Sequence, residues 1–126
     1  MPQTDYAPSL KDVLVTTGSA NNASVVVSLA PTRPGATAFL EGFMVGGFGA
    51  TSSVTVTCVV TGLLGGTPAT FPYAVPGGTT VVATPLVQTF PAALPASGPT
   101  TSVTVTVGAF GAGSTSTTVT IFGYQF

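Results

Sequence analysis

The nine residues Ser53 to Thr61, Ser-Val-Thr-Val-Thr-Cys-Val-Val-Thr, leave the backbone little choice. Val54, Val56, Cys58 and Val60 fall on one side of an extended chain, and Thr55, Thr57, Val59 and Thr61 on the other. A period of two marks a strand with one face turned to a core. β-Branched side chains push the same way, because they lose χ1 freedom in a helix and sit well on a pleated surface. The pattern returns at Ser102 to Val107, at Thr117 to Phe122 and, less strictly, at Ser24 to Ala30.

Between these stretches the turn residues divide the chain. Asp12 to Thr17 reads as a first strand, and Gly18 to Asn22 as a turn. Ser24 to Ala30 is the second strand, followed by a break at Pro31, Pro34 and Gly35. Thr37 to Gly47 is the third and Ser53 to Thr61 the fourth. Thr70 to Val75 is a short fifth strand whose Pro72 predicts an edge position, where a missing N–H is tolerated. Thr79 to Phe90 is extended, with Pro85 dividing it, and Pro91 to Pro99 reads as a long loop. Thr101 to Val107 and Ser116 to Phe126 complete a set of eight strands with no convincing helix. The spacing predicts an all-β fold, an antiparallel two-sheet β-sandwich. Eight strands and Pro-rich crossovers favour a jelly roll, with an immunoglobulin-like sandwich as the alternative. The expected core is Val54, Val56, Cys58, Val60, Val103, Val105, Val107, Val119 and Ile121. Residues 12–126 are expected to form one domain; residues 1–11, polar and carrying Pro2 and Pro8, read as an N-terminal arm, either a frayed terminus or a segment that orders against a partner.

Charge narrows the functional classes. Asp5, Lys11, Asp12, Arg33 and Glu41 are the strongly ionising side chains, 4% of 126 residues, where soluble domains carry about 25%. Two cations cannot make the basic patch that phosphate contacts require, so no nucleic-acid partner is expected. No apolar run approaches the roughly 20 residues that span a bilayer, and the first residues have neither a basic region nor an apolar stretch, so neither a membrane anchor nor a secretory signal is expected. Sparse charge leaves little to oppose close approach of copies, which predicts a homo-oligomer, a trimer first.

Reactive chemistry finds few candidates. The chain has no His, which removes the commonest general base and metal ligand. Cys58, the single cysteine, has neither an activating His nor a second Cys, and its place on the apolar face marks it as a small buried hydrophobe. Glu41 reads as a rim carboxylate or a partner for Arg33, because a catalytic carboxylate needs a second group to work with. Gly46-Gly47-Phe48-Gly49 lacks the lysine and helix of a phosphate loop. Neither catalysis nor a cofactor or metal is expected.

A succession of turns and strand faces does carry a likeness. Leu40-Glu41-Gly42-Phe43 is followed by Gly46-Gly47-Phe48-Gly49-Ala50-Thr51, Val54-Thr55-Val56-Thr57 and Gly62-Leu63-Leu64-Gly65-Gly66. Then come Tyr73-Ala74-Val75-Pro76-Gly77-Gly78, Phe90-Pro91-Ala92-Ala93-Leu94-Pro95-Ala96 and Gly123-Tyr124. From about Ser24 onward this resembles the small all-β head decoration, or capsid-stabilising, proteins of tailed phages and prophages. The resemblance implies a jelly-roll-like virion protein, often trimeric, that sits on the outside of a shell of major capsid protein. It brings no catalytic residues. The capsid contact is expected from the arm, with Tyr6 and Leu10 as apolar anchors and Asp5, Lys11 and Asp12 as a polar rim. The rival reading is a tail, fibre or surface-adhesin module that binds a host glycan through loop aromatics, for which Phe48, Tyr73 and Phe110 are the candidates.

Overall fold

A computed structural model describes residues 12–78, 81–114 and 116–126. Eight strands follow in order: β1 (Val13–Ala20), β2 (Val25–Leu29), β3 (Ala38–Phe48), β4 (Val54–Thr61), β5 (Ala69–Val75), β6 (Leu86–Pro95), β7 (Val103–Val107) and β8 (Ser116–Gln125). There is no helix among the described residues.

The strands form two four-stranded antiparallel sheets packed face to face, sheet A in the order β1-β8-β3-β6 and sheet B in the order β2-β7-β4-β5. The pairing is nested: β1 with β8, β2 with β7, β3 with β6, and β4 with β5. A long antiparallel ribbon rolled on itself gives this order, which is the jelly roll. The immunoglobulin-like alternative is set aside, because only β4 and β5 are neighbours both in sequence and in a sheet.

The alternation read from the sequence sets the core. Val56, Cys58, Val60, Val103, Val105, Val107, Val119 and Ile121 are buried between the sheets. Val54 departs from expectation at 38% exposed. It shares the inward side of β4, but it is the strand's first residue and borders an open groove, so the opposite sheet no longer covers it. Phe43, fully buried, meets Phe71 edge-on at 5.6 Å and Phe90 at 6.4 Å, filling the middle of the sandwich.

Three boundaries differ from expectation. β1 runs to Ala20, through the stretch read as a turn, which shrinks to residues 21–24 with Asn22 at φ 46°. Gly18 serves close packing there, because a Cβ on it would lie 2.9 Å from a Val27 methyl. β6 starts only at Leu86, after Pro85, and continues through Pro91 to Pro95, which the sequence suggested as loop. The prolines fit because β6 is an edge strand and bulges: Gly42 pairs with Thr89 and Leu40 with Leu94, leaving Phe90 to Ala93 across from Glu41. Pro72 does lie on an edge strand, β5, opposite Thr57.

Candidate functional site

The sandwich presents two unlike outer faces. Sheet B turns out Thr55, Thr57, Thr61, Thr104, Thr106 and Ser28 beside the exposed Val26, with Ser28 and Thr104 hydroxyls 2.9 Å apart across the β2–β7 pair. These are the solvent faces of half-buried strands. Sheet A turns out aromatic and aliphatic side chains, interleaved with threonines, in registered rows. Val13, Tyr124 and Phe39 lie side by side, as do Val15 and Phe122, then Thr17, Thr120, Met44 and Val87. Phe39 and Tyr124 stack at 5.1 Å with rings 10° from parallel. Phe122 lies over Gly42, where a Cβ would come within 2.8 Å of its ring, so a glycine makes room for the aromatic row. Val15 (62%), Met44 (41%) and Val87 (57%) remain exposed.

At the corner where the chain enters β1, polar groups make a clamp. Asp12 is buried and ion-paired with Arg33. Its carbonyl accepts the Gln125 N–H at 2.8 Å. The fully buried Gln125 amide accepts the Thr32 and Arg33 backbone N–H groups at 2.9 and 3.1 Å and donates to the Thr32 hydroxyl at 2.9 Å. The clamp fixes the position and direction in which residue 12 meets the sandwich. Asp12, which the sequence reading puts on the polar rim of a capsid contact, is buried here beside Arg33. Arg33 was a possible partner for Glu41, but it pairs with Asp12, while Glu41 is exposed in the bulge of β3. Asp5, Tyr6, Leu10 and Lys11 lie outside the described residues.

The opposite end gathers three loops. Thr51 N–H donates to the Ala112 carbonyl at 2.9 Å, Gly78 N–H to Ala50 at 2.7 Å, and Ala83 N–H to Gly47 at 2.9 Å. Phe48 and Val82 form an antiparallel bridge here and are 42% and 68% exposed. Of the three aromatic candidates for glycan contact, Phe48 alone is accessible. Tyr73 and Phe110 are buried with ring centroids 5.9 Å apart, and the Tyr73 hydroxyl donates to the Thr84 carbonyl at 2.6 Å. Phe110 sits in a glycine-rich stretch that reads as an exposed loop, and that composition hid its burial.

A shallow groove of about 500 Å³ runs between Ser53–Thr55 and Ala74–Pro76, and its described lining has no acid, base or aromatic side chain. Cys58 is buried, and burial pushes its thiol up to about 11. No group of three His, Cys, Asp or Glu that could hold a metal occurs among the described residues. Comparison with known protein families, with curated proteins and with solved structures finds no match in any of the three.

Proposed function

We propose that this chain is a structural virion protein: a jelly-roll decoration protein that attaches to the outside of a tailed-phage capsid and stabilises it. The observation that carries the reading is a jelly-roll body with one apolar, aromatic outer face and almost no charge, in a chain whose turn and strand motifs resemble that family. Such a surface suits a protein held in an assembly of like and unlike subunits. The partner is major capsid protein. Contact runs through the arm, with Tyr6 and Leu10 as anchors and Asp5 and Lys11 at the rim. Asp12 stays with the body and gives the arm a fixed point of departure. Ordering a segment costs about 1–2 kcal/mol per residue in backbone entropy, so attachment gains from many contacts and from several copies acting together.

The test compares the full chain with a form lacking residues Met1 to Leu10, each mixed with purified capsids and recovered by sedimentation. The full chain should co-sediment and the truncated form should be left in solution with its fold intact. Equal binding by both would move the attachment surface to the sandwich. Binding to host-cell glycans in place of capsids would favour the adhesin reading, for which Phe48 is the remaining aromatic contact.

A further inference from the structure

The clamp between the end of β8 and the β2–β3 loop sets a hydroxyl against an amide. Gln125 Nε2 donates to the Thr32 hydroxyl at 2.9 Å, so Thr32 Oγ1 lies beside the Gln125 amide group. The amide oxygen, Oε1, accepts the Thr32 and Arg33 backbone N–H groups at 2.9 and 3.1 Å. Two converging N–H donors at this range are the arrangement that stabilises a carbonyl oxygen when negative charge develops on it during attack at its carbon. Asp12 is a positioning residue for both halves. Its carbonyl accepts the Gln125 N–H at 2.8 Å, and its carboxylate pairs with Arg33. Gln125 is 1% exposed, whereas Thr32 is open to solvent.

We propose that Thr32 and Gln125 join covalently in the folded chain, through an ester between Thr32 Oγ1 and Gln125 Cδ, with loss of ammonia. Oγ1 adds to Cδ and the new C–O bond forms. Oε1 takes the developing charge, facing its two N–H donors. The hydroxyl proton passes to Nε2, which lies 2.9 Å from Oγ1. The Cδ–N bond breaks, the carbonyl re-forms, and ammonia leaves by the exposed side of Thr32. Nothing is oxidised or reduced, and no co-reactant enters. An amide is a poor acyl donor, so the step is slow: newly folded chain carries the hydrogen-bonded pair and matured chain the ester.

Proximity drives the reaction. Well-oriented groups within one molecule react with effective molarities on the order of 10⁵–10⁸ M, and the ammonia released is diluted away. The buried carbonyl is then shielded from hydrolysis. The product suits this fold. β8 lies between β1 and β3 in the middle of sheet A, and the ester ties its last residue to a loop 93 positions earlier. A crosslink closing so long a loop restricts the unfolded chain strongly. With Cys58 as the single cysteine, no disulfide within the chain can supply such a staple. The inference does not rest on capsid attachment.

Intact-mass spectrometry of the full chain, held folded at neutral pH for days, tests this. The mass should fall by one ammonia, and a parallel sample kept unfolded in guanidinium should not change. Thr32→Ser keeps a hydroxyl and should show the same loss. Thr32→Val, at an exposed position, lacks the hydroxyl and should keep its full mass. Proteolytic digestion of the matured natural chain should release the Thr32 and Gln125 peptides as one linked species. A folded natural chain that retains its full mass overturns the proposal. So does a loss of ammonia that persists in Thr32→Val, occurs equally in the unfolded chain, or yields no linked peptide.

Discussion

Gln125 and Thr32 hold each other twice: the Thr32 N–H donates to Gln125 Oε1 at 2.9 Å, and Gln125 Nε2 donates to the Thr32 hydroxyl at 2.9 Å. The last residue of β8 is thereby tied to the β2–β3 loop, beside the Asp12–Arg33 pair. Gln125→Ala removes both contacts and strips the Arg33 N–H of its acceptor in a part-buried corner. Losing these contacts costs about 1–3 kcal/mol, so the unfolding free energy measured in urea should fall by that amount.

Phe110 and Phe48 should respond oppositely to truncation. Phe110→Ala empties a buried site against Tyr73 and Gly47 and should destabilise the fold by about 3–5 kcal/mol. Phe48→Ala, at an exposed position, should stay within about 0.5 kcal/mol. Thermal unfolding of the two variants checks the pair.

Cys58 makes stability depend on alkaline pH. Burial raises its pKa from 9.0 to about 11, so the folded state keeps the proton that the unfolded chain releases. The stabilising contribution is complete below pH 9 and is lost as pH rises toward 11, to a total of about 2–3 kcal/mol. Burial raises Tyr73 too, with the Cys58 thiolate as a second cause, and gives the same sign. Cys58→Ala should flatten the decline between pH 9 and 11, measured by urea unfolding across that range. In the natural chain, thiol reagents at neutral pH should label Cys58 only after unfolding; rapid native labelling would contradict its burial.

Val54 and Val56 test where the core stops. Val56→Thr puts a hydroxyl between the sheets and should cost about 1–3 kcal/mol, while Val54→Thr at the open mouth should be close to neutral. Chemical denaturation separates them.

The strands and their inward faces were legible because alternation of Val and Thr is a local signal. Val54 shows its limit: the pattern gives the side of the strand but not the point at which the opposite sheet ends. Pro91 and Pro95 were misleading because proline argues against a ladder, and only tertiary pairing reveals that β6 is an edge with a bulge. The clamp of Asp12, Arg33, Thr32 and Gln125 could not be found by spacing, since its members come together only when β8 returns beside β1. The apolar row on sheet A was present in the sequence as Phe39, Phe122 and Tyr124. Which side of the sandwich they face depends on the nested order of the sheets.

That nesting also governs the timing of assembly. β1 has no hydrogen-bonded neighbour in its own sheet until β8 exists, and β2 has none until β7 does. Closing such distant pairs is entropically slow, and a chain emerging from the ribosome holds its Val-rich early strands open throughout. The β4–β5 hairpin, the one pair formed by neighbours in sequence, is the natural place for folding to begin. On that topology the sheets would zip outward from it, leaving β1 to wait for β8.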